Sequence, residues 1–172
     1  MISVISGTNR PLSNSDRIAR FVEQIYSDKG ISSQFYSLQS LPHDIAFAEV
    51  FGNRSESFQQ VVNSIVADVD KFVFVLPEYN GGFPGILKLF LDAVEPKYWH
   101  GKKAALIGIA SGRAGNQRGL DHLTNILNYL RVDVMYLKPC LSQIWSDEEG
   151  AIKLTEEYKQ VLSFQAELFN KF

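Results

Sequence analysis

The stretch Lys71-Phe72-Val73-Phe74-Val75-Leu76-Pro77-Glu78-Tyr79-Asn80-Gly81-Gly82-Phe83-Pro84-Gly85-Ile86-Leu87-Lys88 decides the fold class. After Lys71, five consecutive residues are apolar and mostly β-branched or aromatic. They lack the alternation of a strand that shows one face to water, so they read as a strand covered on both faces. Two prolines and a glycine pair then end the run and fix a rigid loop with exposed backbone amides and carbonyls. The chain turns helical near Pro84, and the apolar segment Ile86–Val94 continues it. A buried strand, a stiff loop and a helix in direct succession belong to a parallel sheet with crossover helices.

Outward from this unit the same alternation repeats. Nearly continuous apolar runs at Ile2–Ser6, Ala104–Ala110 and Val132–Leu137 predict three more buried strands, and the mixed segment Ser32–Leu38 predicts an edge strand. Helical spacing links Ile18, Phe21, Val22 and Ile25, then Phe58 through Val69, then Leu120, Leu123, Leu127 and Leu130. Leu154–Phe169 closes the chain as an amphipathic helix. Five alternations predict an α/β fold: a doubly wound, five-stranded parallel sheet with helices on both faces. Right-handed crossovers favour the strand order 2-1-3-4-5. No repeat or low-complexity tract divides the chain, and residues 1–172 are expected to form a single domain. The one long irregular connection runs from about Gln39 to Ser57, through Gly52 and Asn53.

Composition narrows the function classes. A net charge of −2 gives no electrostatic reason to expect a nucleic acid or an anionic membrane. Cys140 is the only cysteine, so no intrachain disulfide forms, and a reducing, cytoplasmic setting is expected. His43, His100 and His122 have no mutual metal-ligand spacing, so no metal site is expected. No run approaches the ~18 apolar residues of a membrane span. Met1–Ser6 is too short for a secretory core, so the fold is expected to begin at the first residues.

The loop after the first strand reads Ser6-Gly7-Thr8-Asn9-Arg10-Pro11-Leu12-Ser13-Asn14-Ser15-Asp16. It emerges at the carboxyl edge of the sheet, where open α/β folds bind ligands. Hydroxyls, an amide, a guanidinium and a flexible Gly7 suit an anion. Ser13 as N-cap would turn the unpaired amides of the next helical turn into the loop. The plainer alternative is a capped helix with a solvated Arg10. The loop is neither a Walker loop nor a Gly-x-Gly-x-x-Gly fingerprint, so a mononucleotide phosphate suits it best. Asp16 would repel a phosphate and is expected on the outer face. The Pro77–Lys88 loop offers its backbone to the polar edge of a flat heterocycle, with Tyr79 beside it; the plainer alternative there is a stiff turn. Trp99 and Trp145 are candidates for the border of an acceptor pocket, or else packing residues.

Together the two loops resemble the NADPH-dependent FMN reductase family, which includes azobenzene, quinone and chromate reductases. Its first loop, Gly-Ser-x-Arg-x-x-Ser-x-Asn, is matched by Gly7–Ser15, with Thr8 for Ser and Ser15 for the last Asn. Its second, Pro-Glu-Tyr-Asn-x-x-x-Pro-Gly-x-Leu-Lys, is matched at every specified position from Pro77 to Lys88. The resemblance implies a flavodoxin-like fold and electron transfer from NADPH through FMN to small acceptors such as quinones, azo and nitro compounds or free flavin. It implies that Thr8, Arg10, Ser13 and Ser15 bind the FMN phosphate, with help from the Asn14 backbone. It implies that Pro77, Glu78, Tyr79, Asn80 and Gly81 line the isoalloxazine, and that Ser111 and Gly112 border its other side. In that third loop, Ala110-Ser111-Gly112-Arg113-Ala114-Gly115-Asn116 after the fourth strand, Arg113 and Asn116 depart from the family pattern. A homodimer or homotetramer is implied as well, although Leu89-Phe90 replaces an Asn-containing sequence in a helix that commonly meets a second subunit. No general base is needed, because the flavin carries the chemistry. Two other readings stay open: a flavodoxin-like electron carrier, against which Arg10 and the modest charge count, and a partner module without cofactor.

Overall fold

The computed structural model describes residues 1–51, 54–147 and 151–172; Gly52 and Asn53 of the long connection lie outside the described residues. In chain order the elements are β1 (Ile2–Ser6), α1 (Asn14–Asp28), β2 (Ser33–Ser37), α2 (Ile45–Ala48), α3 (Glu56–Val62), β3 (Lys71–Pro77), α4 (Gly85–Ala93), β4 (Lys103–Ile109), α5 (Gln117–Tyr129), β5 (Asp133–Val134), β6 (Cys140–Leu141) and α6 (Glu156–Lys171). All strand pairs are parallel, and the order is β2-β1-β3-β4-β5, with β6 also paired to β4. This is the flavodoxin-like arrangement.

Residue size sorts the two faces of the sheet. Along β3, Phe72, Phe74 and Leu76 join the core beneath α3, α4 and α5, while Val73 and Val75 join the core beneath α1 and α6. Both sets are buried, which is why the sequence shows no alternation. Trp99 sits wholly inside the first core, its ring 5.2 Å from that of Phe72 and edge-on to Phe90. It therefore packs, and takes no part in an acceptor pocket.

Two expectations need correction. The helix drawn from Phe58 to Val69 ends as an α-helix at Val62 and continues as a wider turn over Asn63–Ala67. Carbonyls loosened by that widening find side-chain donors: Ser3 Oγ donates to Ile65 O, and the Lys102 ammonium donates to Val66 O and Ala67 O. The fifth strand, expected over Val132–Leu137, is broken into β5 and β6. Between them the buried amide of Gln165 on α6 donates to Leu106 O at 3.1 Å and Leu137 O at 2.9 Å. A side chain thus replaces the missing ladder donors, satisfying carbonyls that are costly to bury alone.

Register sets the site. Ser6 of β1 lies opposite Val75, and Pro77 of β3 lies opposite Ile109. The loops leaving β1, β3 and β4 therefore rise side by side from one edge of the sheet.

Candidate functional site

Those loops enclose a cleft of about 530 Å³. Of the residues singled out in the sequence, Arg10, Ser13, Asn14, Ser15, Pro77, Glu78, Tyr79 and Ser111 line it. Thr8 lies beneath it, fully buried, with Oγ1 2.9 Å from the Tyr79 hydroxyl and accepting from the Arg10 amide at 3.2 Å. Asn80, Gly81 and Gly112 are absent from the lining.

Local sequence explains the first loop. Gly7 donates its amide to Val75 O, and a Cβ there would fall 2.5 Å from Leu76 Cδ2, so a larger residue would require the Leu76 side chain to shift where the chain leaves β1 beside β3. Ser13 caps α1: its Oγ accepts from the Asp16 amide and donates to Asp16 Oδ1, both at 3.1 Å. Asp16 also accepts from Ser37 Oγ at the end of β2. Its carboxylate is thus turned from the cleft as expected, but toward β2 and not toward solvent. The amides of Asn14 and Ser15 have no partners within the helix by geometry. Ser15 is 1% exposed, and its Oγ has no hydrogen-bond partner among the described residues.

Two guanidiniums face this turn. Arg10 is exposed in the lining, and Arg17, one turn into α1, also lines the cleft while its Nη1 donates to Asn14 Oδ1 at 3.1 Å. Among the described residues neither is ion-paired. Arg17 was not anticipated, because a cation on an amphipathic helix reads like any solvated charge.

The second loop is a hairpin-like turn. Tyr79 N donates to Gly82 O at 2.9 Å and Gly82 N returns to Tyr79 O at 3.1 Å, with Asn80 at φ 52° and Gly81 at φ 79°. Two consecutive left-handed residues define a type I′ turn, for which Asn-Gly is the favoured pair. This geometry lifts Asn80 and Gly81 to the tip, above the lining. Below it, Asn116 is fully buried at φ 68° and its amide donates to Leu76 O (3.1 Å) and Pro77 O (3.0 Å). The residue that departed from the family pattern thus ties the end of β3 to the start of α5.

The segment after β6 forms a wall that sequence reading missed. Gln143 N donates to Gly112 O and Ile144 N to Ala110 O, both at 3.1 Å, and Asn14 Nδ2 reaches Ile144 O at 3.5 Å. These bonds place Ile144, Trp145, Ser146 and Asp147 along the cleft. Only the exposed Trp145 carried a hint in the sequence; the rest depends on tertiary contacts. Among the described residues no group of His, Cys, Asp or Glu could hold a metal ion, and no helix is long and apolar enough to cross a membrane.

Known proteins share this architecture. The flavoenzyme NAD(P)H:(acceptor) oxidoreductase of Paracoccus denitrificans superposes with a TM-score of 0.79 at 22% identity, covering 99% of this chain and 94% of that one. A flavodoxin from Pseudomonas aeruginosa superposes with a TM-score of 0.66 at 15% identity, covering 98% of each chain. In sequence, the chain is 30% identical to a 2-hydroxy-1,4-benzoquinone reductase from a Burkholderia species over 177 aligned positions, covering 95% of this chain and 91% of that protein. The family model described as NADPH-dependent FMN reductase matches residues 1–143, from β1 through the third loop and β6. The chain belongs to the NADPH-dependent FMN reductase family of oxidoreductases.

Proposed function

We propose that residues 1–172 form one FMN-binding domain that holds the cofactor in this cleft and passes electrons from NAD(P)H to small acceptors of the quinone, azo or nitro class. The observation that carries the reading is Ser15: a buried hydroxyl that has no partner among the described residues, at a helix start with free amides, in a cleft also lined by Arg10 and Arg17, neither of which is ion-paired among those residues. Burying a polar group unpaired costs about 1–3 kcal/mol. A phosphate accepting from Ser15 Oγ, the Asn14 and Ser15 amides and Arg10 would remove that cost and gain charge-assisted bonds.

In this reading the FMN phosphate lies on the Arg10–Ser15 turn, with Arg17 as a second cation. Ser13 contributes mainly as the cap that aims the helix, since its Oγ is engaged by Asp16. Thr8 acts through Tyr79, to which it is hydrogen-bonded, and so locks the phosphate loop to the ring loop. Pro77, Glu78 and Tyr79 border the isoalloxazine on one side and Ser111 on the other. Asn80, Gly81 and Gly112 shape the rim without touching it. When bound, FMN supplies the capacity to take hydride from a nicotinamide and to hand electrons to an acceptor. The protein's part is to hold, orient and shield, and no side chain is assigned a proton transfer.

A second copy of the chain is proposed to dock on the groove between α4 and α5, where the half-buried Ile126 and Leu130 lie beside the exposed Tyr129, over the buried Leu91 and Val94. A cytoplasmic setting is in keeping with the single thiol. The test is steady-state oxidation of NADPH and of NADH with an added quinone, using FMN-loaded and flavin-stripped protein. Turnover that depends on FMN supports the reading. FMN retention without turnover would make the chain an electron carrier.

A further inference from the structure

Trp145 combines two properties that seldom coincide. Its indole is 67% exposed, yet the backbone that carries it is pinned on both sides. Before it, Ile144 is buried and bonded to both Ala110 and Asn14, and Gln143 is held at φ 55° by Gly112. After it, Ser146 pairs with Ile152, and Asp147 N donates to Ala151 O at 3.0 Å. Tyr158 on α6 fastens the whole segment: its hydroxyl lies 3.1 Å from Ser142 Oγ, accepts from Ser142 N at 3.1 Å and donates to Ser142 O at 3.3 Å. An aromatic surface left in water on an ordered backbone has already met the ordering cost of a binding contact.

We propose that Trp145 is the stacking platform for flat electron acceptors of the quinone class, and that Tyr158 is the positioning residue that holds it in the cleft wall. The proposal rests on the reading of the cleft given above. The nearby Tyr79 is only 37% exposed and its hydroxyl is committed to Thr8, so the indole is the larger open aromatic face in the lining. Stacking on a π-face is tolerant of substituents, which suits a site that takes differently decorated rings.

The experiment compares 1,4-naphthoquinone, which is flat, with ferricyanide, which is not, as acceptors for FMN-loaded wild type, W145A, W145F and Y158F. In W145A the KM for naphthoquinone should rise about tenfold more than that for ferricyanide, equivalent to ~1.4 kcal/mol. W145F should restore most of the loss, and Y158F should move the same ratio, which a purely structural role would leave in place. An unmoved ratio in W145A overturns the platform, and so does a rise in the FMN dissociation constant in its stead. An unmoved ratio in Y158F overturns the positioning role.

A second measurement is independent of the cofactor. The chain has two tryptophans, so in W99F the emission reports Trp145 alone. Saturable quenching by 1,4-naphthoquinone supports the platform, and purely collisional quenching overturns it. Failure to retain FMN in the wild type, with saturable quenching intact, would instead refute the FMN reading.

Discussion

Replacing Ser15 with alanine should move apo stability and cofactor affinity in opposite directions. Ser15 Oγ is buried, and among the described residues no atom accepts from it or donates to it. Deleting it from the protein without FMN removes an unsatisfied group, and the methyl of alanine occupies space the side chain already fills. Alanine is also the better helix former inside the first turn by several tenths of a kcal/mol. The apo protein should therefore be unchanged or more stable, by up to ~2 kcal/mol. FMN binding should weaken, because a hydrogen bond to a charged phosphate is worth about 1.5–3 kcal/mol, or roughly 10- to 150-fold in the dissociation constant. Urea unfolding of apo protein gives the first quantity, and titration of FMN fluorescence gives the second. Equal FMN affinity in both proteins would refute the phosphate assignment. A destabilised apo variant would show that the hydroxyl has a structural partner after all.

Arg10→Ala should weaken FMN retention by about 1.5–3 kcal/mol if the guanidinium makes its charged bond, measured by the same titration; unchanged affinity removes that role. Asn116→Ala should cost roughly 2–4 kcal/mol in chemical denaturation, because two carbonyls at the end of β3 lose their donor and alanine is strained at φ 68°. Asn116→Gly should recover about 1 kcal/mol of that, the part due to the backbone. Burial pushes the Tyr36 phenol up to about 12 from its ordinary 10, and burial raises Tyr26 further. Both folded values lie above the unfolded one, so their contribution is fully present below pH ~10 and is lost as pH climbs through the folded values. Tyr26→Phe should therefore gain on wild type in urea unfolding as pH goes from about 9 to about 11, and a constant difference would contradict the burial argument.

The parts legible in sequence were those set by local chemistry. Continuous apolar runs gave the strands of the sheet, because Phe72, Phe74 and Leu76 fill one face while Val73 and Val75 fill the other. Ser13 as a helix cap, and Gly7 at a tight exit, follow from rules that need only a few neighbouring residues. What escaped depended on residues far apart in the chain. The break in the fifth strand is tolerated because Gln165, about thirty positions later, supplies the missing donor. Trp99 and Trp145 look alike as letters, yet one lies in the core at 0% exposure and the other stands in the cleft wall. Asn116 looked like a lapse from a familiar loop, and only the carbonyls of Leu76 and Pro77 reveal its purpose. The left-handed backbone of Asn80 and Gly81, which puts them at the tip of their turn, follows from the Asn-Gly pair itself.

The central claim is that this cleft retains a phosphorylated flavin that a nicotinamide can reduce. Its most direct test is the visible spectrum of protein mixed with FMN and passed through a desalting column, followed by anaerobic addition of NADPH. The account predicts a flavin band that travels with the protein at close to one FMN per chain and bleaches when NADPH is added. Colourless protein, or a yellow protein that NADPH leaves unbleached, would contradict it.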